Sequence, residues 1–121
     1  MSGVNKAIIL GRLGKDPEIR TTQTGKKYAS FSLATSEIFN GKEKIEWHRI
    51  AAWEKLSDVA DKYLKKGVRV FVEGKFQTRS YEDKGVKKFV SEILASQISL
   101  CEFNQNKNDI PSESNYLDIP F

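Results

Sequence analysis

Apolar and polar residues alternate along much of the chain, with the two-residue period that half-buried β-strands show. Residues 27–39 give the clearest example, since Ala29, Phe31 and Leu33 fall on one face and Tyr28 falls on the other with two serines. An Asn-Gly pair follows this run, and a second run over residues 44–53 begins shortly after it. Asn-Gly between two such runs is typical of a β-hairpin.

The segment after this hairpin has the period of a helix. Its apolar positions follow helical spacing, and they are Leu56, Val59, Ala60, Tyr63 and Leu64. Lys65 and Lys66 are expected in the last helical turn, where they would favour the negative end of the helix dipole. Gly67 can then adopt the left-handed conformation that commonly ends a helix.

Strand patterns lie on both sides of this helix. Residues 3–13 predict a first strand, and residues 68–81 and 86–100 predict two more after the helix. In the first of these two, alternation places four apolar residues on one face, and they are Val68, Val70, Val72 and Phe76. Imperfect alternation in the last run predicts a bulge. The order predicts an all-β fold, a five-stranded Greek-key barrel of the OB type with one helix between strands 3 and 4. A generic small α+β domain is the alternative.

The run over residues 44–53 carries the first candidate site. Alternation places Trp47, Arg49 and Trp53 on one face, together with Ile45. Unpaired bases stack on aromatic rings and their phosphates attract Lys and Arg, so this combination favours a surface for single-stranded nucleic acid. A Trp in a strand is also often a core residue, but an Arg on the same face argues against a core here.

Other aromatic and cationic positions accompany this face. Lys75, Arg79 and Tyr81 share the outward face of the later strand, and Phe39 lies beside the Asn-Gly turn, where a core is hard to reach. Charge is also uneven. Residues 1–100 hold 19 Lys and Arg against 12 Asp and Glu, a net of +7, whereas residues 101–121 have a net of −3. A basic body suggests a polyanionic ligand, and the alternative is a generic basic domain with a solubilising tail.

The single His and single Cys restrict the available chemistry. A His/Cys metal site and an internal disulfide do not fit this composition. Because no P-loop spacing occurs either, we expect a binding protein and not an enzyme, with no cofactor and no metal. No apolar run approaches the roughly 18 residues of a membrane span, so we expect no membrane association and a cytoplasmic location.

Five stretches of the body resemble the bacterial single-stranded DNA-binding proteins. They read GVNKAIILGRLGKDPEIR, SFSLATSE, EWHRIAAWEKL, YLKKGVRVFVEG and TRSYED, and the final DIPF resembles the C-terminal tip of that family. The resemblance implies an OB fold, assembly as homotetramers, and sequence-independent coating of single-stranded DNA in replication, recombination and repair. It also implies a nucleoid-associated location.

The resemblance assigns roles to individual residues. The positions that stack on bases fall on Phe39, Trp47, Trp53 and Tyr81. The cationic positions that bind single-stranded DNA fall on Lys6, Arg20, Arg49, Lys55, Lys66 and Arg79. His48 matches a position at the subunit interface. In the family, Trp is usual at the positions of Phe39 and Tyr81, and Phe is usual at that of Trp53. All of these residues are aromatic, so stacking on bases should be retained.

The chain is expected to comprise three parts. An OB-fold single-stranded DNA-binding domain spans residues 1–103, a short flexible linker spans 104–117, and a partner-docking tip spans 118–121. The resemblance implies that the tip binds replication and repair proteins through its terminal carboxylate and through Asp118, Ile119, Pro120 and Phe121. The linker is shorter than is common in the family and the tip has fewer acids, which predicts weaker docking.

Two alternative functions remain open from the sequence. One is an OB protein of the replication-restart primosome, which resembles this family, lacks the DIPF tip and usually forms dimers. The other is a scaffold protein in which DNA binding is lost and only the tip acts. The aromatic and basic face argues against the scaffold.

Overall fold

A computed structural model of the chain describes residues 2–101. The elements within this range are β1 (Ala7–Leu13), β2 (Glu18–Thr21), β3 (Lys27–Phe39), β4 (Lys42–Trp53), α1 (Lys55–Tyr63), β5 (Arg69–Asp83) and β6 (Val86–Leu100). The strands form one sheet in the order β1-β5-β6-β4-β3-β2. The predicted linker and tip lie outside the described residues. Between positions 2 and 101, no helix has the length and apolar character needed to cross a membrane.

The sheet closes on itself through β1. This strand pairs antiparallel with β5 along most of its length, and its end also pairs with β3, at Arg12 with Ala34 and Leu13 with Leu33. Five strands therefore form a closed barrel, and α1 falls between the third and fourth of them. The predicted five-stranded barrel with one helix is confirmed. The short strand β2, which adds to the outer edge of β3, was not predicted because four residues are too few to show an alternation.

The core lies inside this barrel, and the predicted core face of β3 is confirmed. The residues that are fully or almost fully buried include Ala29, Phe31, Leu33, Ile50, Val70, Val72 and Ile93. Burying one large aliphatic side chain contributes about 1.5–3 kcal/mol to folding. The alternate positions of the same strands face outward, so their side chains are available to bind a ligand.

The longest strands form two hairpins, β3–β4 and β5–β6. The β3–β4 hairpin turns at Asn40-Gly41, whose φ angles of 53° and 75° are both positive. A type I′ turn requires this geometry, so the predicted hairpin is confirmed. Phe76 was predicted to share a face with Val70 and Val72, but unlike them it is 54% exposed. Beyond Gly74, within the described residues, only β6 pairs with β5, so Phe76 lies past the closed part of the barrel.

The predicted bulge in the last strand is confirmed. Glu73 pairs with Gln97 whereas the adjacent Gly74 pairs with Ala95, which leaves Ser96 as the extra residue on β6. The Ser96 hydroxyl donates a hydrogen bond of 3.0 Å to the Glu73 carbonyl, so this carbonyl has a hydrogen-bond partner at the bulge.

The helix is shorter than its apolar spacing predicted. It ends at Tyr63, and Leu64 is already extended and buried in the core. Lys65 and Lys66 therefore lie beyond the helix and not in its last turn, and Tyr63 is half exposed. The chain turns inward at Leu64 to bury this side chain against the barrel. The helix therefore ends one residue before the last apolar position of the helical pattern.

Candidate nucleic-acid interface

The register of β3 and β4 arranges their outward residues in rows. Directly opposed residues of antiparallel strands share a face, and here Tyr28 opposes Trp53, Ser32 opposes Arg49 and Ala34 opposes Trp47. We call this outward face the β3–β4 strip; it includes Tyr28, Ser32, Ala34, Trp47, Arg49 and Trp53.

The two tryptophans of the strip are surface residues in this chain. Trp47 is 56% exposed and Trp53 is 37% exposed, so neither ring is a core residue. They are six residues apart on one strand, a separation of about 20 Å. Arg49 and Ala51 lie between them on β4, and small residues face these positions from β3. The strip therefore has two exposed aromatic rings, and between them lie small side chains and one cation.

The row at Trp53 extends over three strands. Arg20 on β2 pairs with Tyr28, and Tyr28 pairs with Trp53. The Tyr28 and Trp53 rings are stacked, with centroids 4.8 Å apart and planes at 26°. Lys55 follows two residues after Trp53, as the first residue of α1. This end of the strip combines two rings with two nearby cations.

Tyr28 is the residue of this row that was missed from the sequence. Alternation alone places it on the face of β3 that carries the serines, and it indicates neither a partner nor a role for the ring. The Asn40-Gly41 turn could have indicated this pair, because counting residues outward from a two-residue hairpin turn places Tyr28 opposite Trp53.

The row at Trp47 has a different neighbour. The indole lies against Gly14, where an added Cβ would be 2.6 Å from each of two ring carbons. The absence of a side chain at Gly14 thus leaves space that the Trp47 ring occupies.

Arg79 and Tyr81 lie on the β5–β6 hairpin, and Arg79 is tied to a buried acid. Its Nε donates to Oε2 of Glu92 at 2.9 Å, and the Gln77 amide donates to the same oxygen at 3.0 Å. The Glu92 side chain is only 3% exposed, whereas that of Arg79 is half exposed. Burying a carboxylate is costly unless it is paired and hydrogen-bonded, so this network is a structural unit as well as a charged surface. Tyr81, two residues further along β5, is largely exposed.

The remaining predicted cations are less constrained. Lys6 lies 2.8 Å from Glu73 in a partly exposed pair, and Arg20 lies 3.4 Å from Glu18 in an exposed pair. Such pairs contribute about 0.2–1 kcal/mol, so a phosphate can replace the acid at little cost. Within residues 2–101 no ion pair involves Arg49, Lys55 or Lys66.

The predicted site residues do not all converge. Arg49 and the two tryptophans share the β3–β4 strip, and Arg20 lies beside its Trp53 end on β2. Lys6, in contrast, precedes β1 and contacts β5. Phe39 is 69% exposed at the hairpin tip, and alternation places it on the opposite face of the hairpin from Trp47.

His48 is half-buried, and its Nε2 lies 2.9 Å from the Thr35 hydroxyl. Its place at a subunit interface stays a prediction. The described residues 2–101 contain no group of three or more His, Cys, Asp or Glu side chains that could hold a metal ion.

Comparisons with known proteins point to one family. The model of the "Single-strand binding protein family" matches residues 4–101. The chain is 47% identical over 105 residues to "Single-stranded DNA-binding protein 1" of Chlorobaculum tepidum, covering 81% of this chain and 65% of that protein. It is 39% identical over 120 residues to the single-stranded DNA-binding protein of Neisseria meningitidis, covering 93% of this chain and 69% of that protein.

A solved structure shares the fold. The Plasmodium falciparum SSB, solved in complex with ssDNA, superimposes with a TM-score of 0.75 at 35% identity, covering 84% of this chain and 98% of that one. The chain spans slightly less than two thirds of the length of its Chlorobaculum tepidum relative. With the family model matching most of the chain and relatives at 39% and 47% identity, the chain belongs to the single-strand binding protein family.

Proposed function

We propose that this protein binds single-stranded DNA without sequence preference, along the β3–β4 strip. The observation that carries the proposal is the pair of exposed tryptophans on one strand with Arg49 between them. Every base has a flat face that can stack on an indole ring, so this arrangement tolerates any sequence. The solved complex of the Plasmodium falciparum relative with ssDNA supports this use of the fold.

The cations extend the proposed path in two directions from the strip. Arg20 and Lys55 flank the Trp53 end, whereas Arg79 and Tyr81 lie on the β5–β6 hairpin. We propose that Lys6, Lys66 and Phe39, which are not part of the strip, contact DNA that leaves it.

We further propose a cellular role of coating and protecting single-stranded DNA in replication, recombination and repair, in the cytoplasm at the nucleoid. The protein would assemble as a homotetramer with His48 at a subunit interface. Residues 118–121 would recruit partner enzymes. Family membership supports these three proposals, and measurement of the native mass tests the second.

Binding to single strands is expected to exceed binding to duplex of equal length by a large factor, because base pairing hides the faces that the rings use. Affinity for both should fall with added salt, since Lys and Arg displace counterions from phosphate. Titration of oligo-dT and of a matched duplex, following Trp fluorescence at low and high salt, measures this. Equal affinity for the two forms would indicate a nonspecific basic domain and contradict the proposal.

Gly14→Ala is expected to weaken oligo-dT binding with little effect on folding. The new methyl group would displace the outer edge of the Trp47 ring, which can move because the residue is 56% exposed. The loss should not exceed the roughly 1–3 kcal/mol that one stacked base contributes. Gly3→Ala is the matched control, because nothing lies within 4 Å of its added Cβ. Thermal unfolding and oligo-dT titration of both variants test this, and unchanged affinity of Gly14→Ala would contradict it.

Phe121→Ala is expected to weaken binding to a tip-recognising partner such as a bacterial exonuclease or helicase. A phenylalanine buried in a partner pocket contributes about 1.5–3 kcal/mol. Affinity for oligo-dT should stay the same, because the residue belongs to the tip and not to the strip. Titration of the partner with wild type, Phe121→Ala and the control Tyr116→Ala measures this. Equal partner affinity for all three would contradict the docking role of the tip.

A further inference from the structure

Tyr28 stacks on Trp53, and nothing so far gives it a role in binding. The two residues are directly opposed in the β3–β4 register, and their rings lie 4.8 Å apart at 26°. Stacking of this kind covers one face of the Trp53 indole. Since Trp53 is still 37% exposed, the uncovered part of the indole remains available to a base.

Trp53 needs support, because it is the last residue of β4. The next residue, Glu54, has a φ of 54° and a ψ of −114°, so the chain leaves the strand direction at once. A ring at a strand end has few neighbours on its own strand. The ring of Tyr28 supplies the contact that fixes the orientation of the indole.

Tyr28 is itself firmly placed. The preceding residue, Lys27, bonds through Nζ to Asp58 at 2.8 Å and to Asp61 at 3.1 Å, both on α1. The hydrogen bond to Asp58, and to a lesser extent that to Asp61, raises the pKa of Lys27 above its ordinary value. The Glu54 amide also donates to the Lys27 carbonyl at 2.8 Å. The start of β3 is therefore joined to both α1 and the end of β4.

We infer that Tyr28 is a positioning residue for single-stranded DNA: its ring holds the Trp53 indole so that one face is presented to a base. The resulting order of stacking is Tyr28, Trp53, base. This inference rests on the proposed function and deepens it, because it explains how a ring at a strand end is oriented before DNA arrives. A preorganised ring loses less freedom on binding than a mobile one.

A double-mutant cycle on DNA binding tests the inference. Tyr28→Ala is expected to weaken oligo-dT binding about two- to ten-fold, the range for one aromatic pair, and Tyr28→Phe is expected to bind like wild type. The salt dependence should not change, since no phosphate contact is removed. In a Trp53→Ala background, Tyr28→Ala should have no further effect. An equal loss in both backgrounds would mean that Tyr28 binds DNA by itself, and this would overturn the inference.

A second measurement needs no DNA. In a Trp47→Phe background, Trp53 is the only tryptophan, so acrylamide quenching and fluorescence anisotropy report on it alone. Tyr28→Ala should make Trp53 more accessible and more mobile, whereas Tyr28→Phe and the control Tyr63→Ala should not. Unchanged quenching in Tyr28→Ala overturns the inference even if wild type binds oligo-dT. Failure of wild type to bind oligo-dT contradicts the proposed function instead. Thermal unfolding confirms that each variant is folded, and Tyr28→Leu replaces Tyr28→Ala if the latter is not.

Discussion

Replacing Trp47 and Trp53 together by alanine is expected to weaken oligo-dT binding by roughly 2–6 kcal/mol, and replacing either one by roughly 1–3 kcal/mol. Each ring offers a face to a separate base, and the residues are about 20 Å apart along β4. Effects at such a distance usually add, so the double variant should lose close to the total of the two single losses.

Folding should be largely preserved in these variants. Both indoles are exposed, so their removal leaves no cavity in the barrel core. Tyr63→Ala is the matched control, because Tyr63 is an aromatic residue of similar exposure at the end of α1 that is remote from Trp53. Titration of oligo-dT alongside thermal unfolding separates the two effects. Unfolding of either single variant would show that its ring stabilises the core, and unchanged affinity of the double variant would exclude the strip as the binding surface.

Leu33→Ala is expected to destabilise the fold by about 2–5 kcal/mol, the usual cost of a large-to-small change in a core. Leu33 is fully buried and lies on the strand that closes the barrel, where it pairs with Leu13 of β1 and with His48 of β4. A cavity there would weaken the pairing of β1 with β3 that closes the barrel.

Ile38→Ala on the same strand provides the control. Ile38 is well exposed near the hairpin tip, so this change should alter the free energy of unfolding by less than about 0.5 kcal/mol. Denaturant unfolding of both variants measures the difference. A loss in Leu33→Ala no larger than in Ile38→Ala would contradict the assignment of the core.

The cations of the proposed path differ in how freely they can respond to DNA. Arg79 holds the buried carboxylate of Glu92, so removing Arg79 would leave an acid without its charged partner. Loss of DNA affinity in an Arg79 variant would therefore combine a lost phosphate contact with a disturbed hairpin. Arg49, which makes no ion pair within the described range, gives a cleaner measure of charge.

The sequence by itself determined the barrel and much of the proposed site. Alternation identified the core face of β3, and the Asn-Gly pair placed the β3–β4 turn, because both features depend on local geometry alone. The same alternation placed Trp47, Arg49 and Trp53 on one face. Resemblance to a known family added the roles of these residues, which no periodicity could supply.

Tertiary structure decided which of these positions are covered. Phe76 follows the alternation of a core strand, yet it is exposed because β5 continues past the barrel to where only β6 pairs with it. Leu64 fits the helical spacing, yet the helix has ended there because burial turns the chain inward. Local pattern shows which side chains share a face, whereas exposure depends on distant parts of the chain.

The partners of individual side chains also depended on the tertiary structure. Gly14 gives no hint in the sequence that it lies against the Trp47 ring, and Glu92 gives none that it is buried with Arg79. The helix that secures Lys27 starts 28 residues after it, at Lys55. These contacts join residues that are far apart in the chain, and they form only when the barrel closes. Sequence thus determined which residue types are available for binding, and closure of the barrel decided how their rings and charges are held.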